Sequence, residues 1–264
     1  MEDSLKFLFW NIHKNPANIE LITRYGMNHN IDIIALCEAD SDNCPIHGFH
    51  PVEHIEKNKD IAVYIRDEIK IYYTREQKRY CLLRIENGYD INLAIAHLNS
   101  DLHSSGAGYR EADINGIKKY LQIEEEKYNN KNTLILGDFN EEPFSERMTR
   151  WLGFNSVFFK SSIGQGYLSR HEEEQDVFYN PMLHVIRDSD SEEVAKGTYY
   201  HESEKAQYFY DQVLMKKSLA MRFNFDKLRI ISSFDDVPLV KNHKPIPDIS
   251  DHVPIYFEIS SAEV

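Results

Sequence analysis

The sequence predicts an α/β (α+β) architecture in which packed β-sheets are covered on their outer sides by helices. Three observations carry that reading. Short apolar, strand-like segments recur along the chain, and amphipathic helical segments fall between them. The third is size: 264 residues, 42% hydrophobic and 28% charged, suffice for a sizeable core. With no internal repeat and no low-complexity linker, the chain reads as a single domain over 1–264.

The elements follow in order. "LKFLFWNI" at 5–12 is the first strand-like segment. "NIELITRYGMNHN" (18–30) then sets Ile19, Ile22 and Tyr25 at three-residue spacing, which predicts a helix. "DIIALCEA" (32–39), "IAVYIR" (61–66) and "IKIYYT" (69–74) read as strands. "RYCLLRIE" (79–86) and "INLAIAHL" (91–98) are two more, joined by the hairpin signal "NGYD". "READINGIKKYLQIEEEKY" (110–128) lines up Ile114, Ile117, Leu121 and Tyr128 on one helical face. "SERMTRWL" (145–152) is a weaker helical pattern. The polar stretch 160–205, with "RHEEEQD" and "RDSDSEE", reads as a solvated, loop-like insertion. Strands resume at "YFYDQVLM" (208–215), "LRIISSF" (228–234) and "VPIYFEI" (253–259).

"LILGDFNEEP" (134–143) raises a chemical question. Leu134, Ile135 and Leu136 form the apolar run of a strand buried on both faces. Gly137 permits a turn or a close backbone approach. On an extended chain, Asp138 and Asn140 share a face. Taken alone, the stretch reads as a turn, because Gly, Asp and Asn are turn residues.

The same motif of an apolar strand with a polar end recurs. Asn11 follows "FLFW", Glu38 follows "DIIALC" and His97 follows "NLAIA". Asp211 lies within "YFYDQVLM", and Asp251 and His252 precede "VPIYFEI". Each has a plainer role when met singly: turn, cap, solvated acid or hydrogen-bonded histidine. Together they specify a chemistry. Glu38 and Asp251 offer hard oxygen ligands suited to Mg²⁺ or Mn²⁺. Asp138 can handle a proton of water or of a leaving oxygen. Asn11 and Asn140 can donate amide protons to a phosphate, and His97 and His252 can stabilise a phosphorane. No nucleophilic Ser or Cys motif and no phosphate-cradling glycine loop competes with phosphoester hydrolysis.

The ordered set "FWN" (9–11), "LCE" (36–38), "AHLNS" (96–100), "LGDFN" (136–140), "YDQVLM" (210–215) and "SDHVPI" (250–255) resembles the endonuclease/exonuclease/phosphatase (DNase I-like) superfamily. The resemblance spans residues 5 to 259. It implies a four-layer α-β-β-α sandwich, two packed mixed β-sheets flanked by helices, with the site at one rim. It further implies Glu38 as the main metal ligand, with Asn11 and Asp251 in or beside the metal shell. Asp138 would manage the water or leaving-group proton, Asn140 would orient the phosphate, and His252 would contact it with Asp211 as dyad partner. His97 matches the second histidine of the family, and Asn99 would reach the phosphate from the same loop. Arg110, at a helix start after that loop, reads equally as a phosphate contact or as a helix-start ion pair. Some residues depart from the pattern. Cys37 stands where many members carry Gln, and "EAD" replaces the "ETK" of abasic-site enzymes, which speaks against a repair endonuclease. "WNIHKN" lacks the glycine-containing continuation of several subfamilies.

Charge and cysteines bound the rest. A formal net charge of −13 repels polyanions at long range and argues against a general nucleic-acid coat protein. A bound divalent cation would reverse that field locally. Cys37, Cys44 and Cys81 lack zinc-ligand spacing and suit reduced cytoplasmic thiols. The acidic start "MEDS" is unlike a secretory leader, although a secreted form already trimmed would read the same. No membrane span and no obligate protein partner is evident. His47, His50 and His54 lie close in sequence and could form a second metal site, but read more simply as a loop entering a strand. "TYYHE" (198–202) and "QYFYD" (207–211) could stack a base, although core packing is the commoner role of such aromatics. The basic pairs Lys78-Arg79, Lys118-Lys119 and Lys216-Lys217 are scattered and make no nucleic-acid stripe. The expected activity is a metal-dependent phosphodiesterase or nuclease acting on nucleic acid or nucleotides. The alternatives are an inositol-phosphate phosphatase, a sphingomyelinase-like phospholipid hydrolase, or a catalytically silent binding module.

Overall fold

The computed structural model describes residues 4–39, 45–54, 60–86, 88–100, 106–170 and 173–261. Cys44 and Asn87 of the predicted hairpin loop lie outside these, as do residues 171–172 of the acidic run. The first half contains β1 (Ser4–Asn11), α1 (Asn18–Asn28), β2 (Ile33–Cys37), β3 (His50–Pro51), β4 (Ile61–Ile65), β5 (Ile71–Glu76), β6 (Tyr80–Ile85), β7 (Ile91–His97) and α2 (Gly106–Tyr128). Next come β8 (Thr133–Asp138), α3 (Glu146–Thr149), β9 (Ser156–Val157), β10 (Tyr167–Arg170), β11 (Glu173–Asp176), β12 (Phe178–Tyr179), β13 (Tyr199–His201), β14 (Ala206–Tyr208) and β15 (Asp211–Met215). The remainder is α4 (Lys217–Arg222), β16 (Arg229–Ile230), β17 (Ser233–Phe234), β18 (Val237–Pro238), β19 (Val240–Lys241), β20 (Lys244–Pro245) and β21 (Ile255–Ser260).

Two mixed sheets form the body. One has six strands in the order β16-β21-β1-β2-β4-β3, the other seven in the order β5-β6-β7-β8-β15-β12-β9. Strand alternation explains how they pack. From β1, Phe7 and Phe9 enter the core between the sheets, where Phe7 stacks on Phe257 at 4.7 Å, while Leu8 and Trp10 point outward under α1 with Ile22 and Tyr25. From β7, Leu93 and Ile95 face the shared core, whereas Ala94 and Ala96 lie beneath Ile114, Ile117 and Leu121 of α2. The layers are therefore helix, sheet, sheet, helix.

Topology brings the polar strand ends to one rim. β1 and β2 run parallel, linked by α1, and β7 and β8 run parallel, linked by α2. Their C-terminal ends accordingly emerge at the same edge of each sheet. β21 runs antiparallel to β1 and β15 antiparallel to β8, so the starts of those strands reach that edge too.

The long stretch read as loop is more ordered than expected. Tyr167–Arg170 and Glu173–Asp176 pair as a hairpin, and Tyr199–His201 pairs with Ala206–Tyr208. The acidic composition hid the first, because its side chains face solvent and leave no apolar alternation. The segment read as one strand at 228–234 is two short strands, β16 and β17, in different sheets. No described helix is long and apolar enough to cross a membrane.

Candidate active site

Three strands of the larger sheet place His97, Asp138 and Asp211 in one row, since β7 pairs His97 with Asp138 and β15 pairs Asp211 with Asp138. Gly137 makes the close approach its residue type allows. A Cβ there would lie 2.1 Å from the Ala96 carbonyl oxygen of the neighbouring strand. Beyond Asp138 the extended geometry ends. Asn140 takes φ 48°, its N–H donates to Asp138 Oδ1 at 3.0 Å, and its Nδ2 donates to Leu98 O at 2.9 Å. The stretch is thus a turn and part of the polar cluster at once. Asn140 uses one amide hydrogen to hold the loop after His97 and retains the other.

The smaller sheet contributes Asn11, Glu38, Asp251 and His252. Asn11 is buried at the end of β1, and its Nδ2 donates to Asp138 Oδ2 at 3.1 Å and to Glu38 Oε1 at 3.3 Å. One carboxamide therefore joins carboxylates from both sheets. Glu38 sits just past β2 at φ 51°, fixed by its N–H donating to Asp60 O at 2.7 Å. Its Oε1 lies 3.7 Å from His97 Nε2. Ser250 Oγ donates to Asn11 O at 2.9 Å and accepts the His252 N–H at 3.1 Å, which ties the two motifs together.

His252 Nδ1 hydrogen-bonds Asp211 Oδ2 at 2.8 Å, with both side chains buried, and its Nε2 lies 3.7 Å from Asp138 Oδ2. Burial alone would push this imidazole toward neutrality, but the facing carboxylates of Asp211 and Asp138 outweigh it and favour the imidazolium. Burial raises Asp211, opposed by the His252 charge. Thr198 Oγ1 accepts the Asp211 N–H at 3.0 Å, and the Tyr199 ring lies 4.6 Å from the His252 ring. Burial, then the negative charges of Asp251, Asp138, Glu204 and Glu38, raise the Tyr199 phenol to about 12. Those acids therefore surround one ring. Tyr210 and Tyr208 continue the stack at 5.2 Å and 4.9 Å, forming an aromatic column that starts at His252.

Among the described residues, Asp138, Asp211 and His252 have ligand atoms within 4.8 Å of one another. Their hydrogen bonding makes them an acid–base set, because His252 Nδ1 is already committed to Asp211. Glu38, Asp251 and Asn11, the residues expected around a divalent cation, offer the hard oxygen donors that such an ion takes. Asp251 Oδ1 is buried without a hydrogen-bond donor, and the ring nitrogen Nδ1 of His13 lies 3.3 Å from it. The Asn11 Oδ1 that would serve such an ion accepts the His13 N–H at 3.1 Å.

Two residues expected at the substrate have structural partners. Arg110 is fully buried; its Nε lies 2.7 Å from Glu141 Oε1 and its Nη1 donates to Asn99 O at 2.7 Å. The ion pair is one of the two roles its sequence reading offered. Asn99 donates through Nδ2 to Asp113 Oδ2 at 3.4 Å, and Arg110 holds its backbone beside the site. The three histidines at 47–54 do not converge as a triad. His50 pairs with Asp67, and His54 Nδ1 contacts the buried Glu76 at 2.5 Å. Thr198, Ser250, Glu141 and Tyr199 were not singled out individually by the sequence, although all four lie within quoted motifs.

No protein-family model matches the chain, and no curated protein sequence matches it. Solved structures do. The 3'-5' exonuclease NExo of Neisseria meningitidis aligns over 97% of this chain and 100% of its own, with a TM-score of 0.60 at 15% identity. An AP endonuclease of Archaeoglobus fulgidus aligns over 98% of this chain and 100% of its own, with a TM-score of 0.58 at 14% identity. D. rerio TDP2, complexed with a single-strand DNA product, aligns over 98% of this chain and 100% of its own, with a TM-score of 0.59 at 12% identity. At these identities the likeness is one of fold.

Proposed function

We propose that this chain, whose fold is that of the endonuclease/exonuclease/phosphatase proteins, is a divalent-metal-dependent phosphodiesterase acting on nucleic acid or nucleotides. The observation that carries the reading is the interlocked rim. Asn11 bridges Glu38 and Asp138 across the two sheets, and His252 stands between Asp211 and Asp138. The DNA product bound by D. rerio TDP2 and the aromatic column beside His252 favour a nucleic-acid substrate over an inositol phosphate or a lipid.

The roles follow from position. The His252 imidazolium, oriented by Asp211, presents Nε2–H to a non-bridging phosphate oxygen. Asp138 Oδ2, beside that nitrogen, accepts the proton of the attacking water. Asn11 holds the Asp138 and Glu38 carboxylates in place, and the remaining amide hydrogen of Asn140 donates to the phosphate. His97 Nε2, 3.7 Å from Glu38 Oε1 and 4.0 Å from Asp138 Oδ2, is placed to hydrogen-bond a phosphate oxygen. Glu38 and Asp251, with Asn11 beside them, would hold Mg²⁺ or Mn²⁺, which supplies Lewis-acid polarisation of the phosphoryl group when bound.

The test is hydrolysis of a mixed panel with Mg²⁺, with Mn²⁺ and with EDTA, using Asp138→Ala as control. The panel holds single- and double-stranded DNA, RNA, bis-p-nitrophenyl phosphate, inositol polyphosphates and sphingomyelin. Metal-dependent cleavage of a nucleic acid, lost in the variant, upholds the reading. Cleavage confined to an inositol phosphate or a lipid keeps the chemistry and replaces the substrate.

A further inference from the structure

We infer that Arg79 binds a phosphate of the substrate from the side of the site opposite His252. The inference rests on the phosphodiesterase reading and adds a residue to it.

Strand register carries the argument. β6 and β7 pair Tyr80 with Ala96, so Arg79 lies across from His97, and the His97 N–H donates to the Arg79 carbonyl at 2.8 Å. Directly opposed residues in an antiparallel pair project from the same face, with Cβ atoms about 5 Å apart. His97 turns that face toward Glu38 and Asp138. Arg79 accordingly leaves the backbone on the side of the catalytic carboxylates.

Its neighbours locate the head group. Arg79 Nη1 lies 3.9 Å from Asp60 Oδ2, and the Asp60 carbonyl fixes the N–H of Glu38. On the other side, the Arg79 charge opposes the burial that raises Asp113, the residue that accepts from Asn99 Nδ2. The guanidinium thus lies between the loop that carries Glu38 and the loop that carries Asn99.

It is also lightly held. The contact to Asp60 exceeds hydrogen-bond length, and the two side chains are 25% and 36% exposed. A partly exposed pair of this kind contributes little to stability. Arg110, by contrast, is committed to Glu141 and Asn99 O at 2.7 Å, and Arg84 to Asn92 and Asp90 at 3.0 Å and 3.1 Å. Glu38, Asp138, Asp211 and Asp251 crowd carboxylates at this rim in a chain of net charge −13. An anionic phosphoester entering it needs a cation, and the planar fork of Arg accepts two phosphate oxygens at once.

The experiment compares wild type, Arg79→Lys and Arg79→Ala for KM and kcat on a single-stranded oligonucleotide and on bis-p-nitrophenyl phosphate. Binding of a fluorescent oligonucleotide is read separately by anisotropy, independent of turnover. Loss of one charge-assisted bidentate contact is expected to raise KM and Kd about 10- to 100-fold in Arg79→Ala, with Arg79→Lys between. The slope of log Kd against log salt should fall by about 1. The melting temperature should stay at the wild-type value, because the Asp60 pair is weak. A rise in KM on both substrates assigns the contact to the scissile phosphate, and a rise on the oligonucleotide alone assigns it to a neighbouring phosphate. A wild type that binds oligonucleotide without hydrolysing anything defeats the phosphodiesterase reading while weakened binding in Arg79→Ala upholds this one. Wild-type KM and Kd in Arg79→Ala overturn it, as does a lowered melting temperature with unchanged binding. Absence of oligonucleotide binding by the wild type overturns this inference, and together with no hydrolysis of bis-p-nitrophenyl phosphate it overturns both.

Discussion

Gly137→Ala is the most demanding test of how the rim is built. Gly137 faces Ala96 in the parallel pair β7–β8, one residue before His97 and Asp138. An added methyl would meet the Ala96 carbonyl oxygen at 2.1 Å and its backbone nitrogen and carbon at 2.8 Å, whereas real Cβ contacts stay above 3.0 Å. Backbone cannot swing aside as a flexible side chain can. The two strands must therefore part by about 1 Å just below both functional side chains. Overpacking of this kind costs roughly 1–3 kcal/mol, which lowers the melting temperature by about 3–10 °C in a chain of this length. Misplacement of about 1 Å at a reacting group costs on the order of 10²-fold in turnover. Gly108→Ala, in α2 with open space around its Cβ, should be neutral or slightly stabilising. The assay pairs thermal melts with kcat on the best substrate of the panel. A Gly137→Ala protein with wild-type melting temperature and kcat would falsify the close-approach argument.

Other expectations follow from single contacts. Asp138→Asn should keep the fold by circular dichroism and lose about 10²- to 10⁴-fold in kcat, and full activity would remove Asp138 from proton transfer. Glu38→Gln should weaken Mn²⁺ binding in calorimetric titration at least about tenfold, with turnover restored only at higher metal; unchanged affinity would move the ion elsewhere. Arg110→Ala, which leaves the buried Glu141 without this partner, should lower unfolding free energy in urea by about 3–5 kcal/mol. Tyr208→Ala should raise KM for an oligonucleotide by an amount near one base stack, about 1–3 kcal/mol, and leave bis-p-nitrophenyl phosphate untouched. Equal loss on both substrates would mean that the column only props up His252.

Much of the fold was legible because burial writes itself into alternation. β1 could be read from "LKFLFWNI" since Phe7 and Phe9 serve one core and Leu8 and Trp10 another. The polar residues gathered at the rim were legible for the converse reason, as acids and amides ending runs that otherwise tolerate none. Partner choice was not legible. Nothing local to Arg110 says that Glu141, on another loop, lies 2.7 Å away, and the ambiguity at a helix start is resolved only by tertiary packing. β10 and β11 escaped notice because a solvated hairpin held by backbone hydrogen bonds imposes no apolar period. Asn140 departs from its expected face because a left-handed φ, 48° here, ends the two-residue repeat on which that expectation stood.

The order of strands in the six-stranded sheet has a consequence for biosynthesis. β21, the last of the described strands in chain order, lies between β16 and β1, and it is preceded by Asp251 and His252. The seven-stranded sheet is drawn wholly from residues 71–215 and can close while the rest is still being translated. β1 must wait with one edge unsatisfied until β21 has emerged. A chain interrupted between Met215 and His252 therefore carries His97, Asp138 and Asp211 on the seven-stranded scaffold and lacks the imidazole that Asp211 holds.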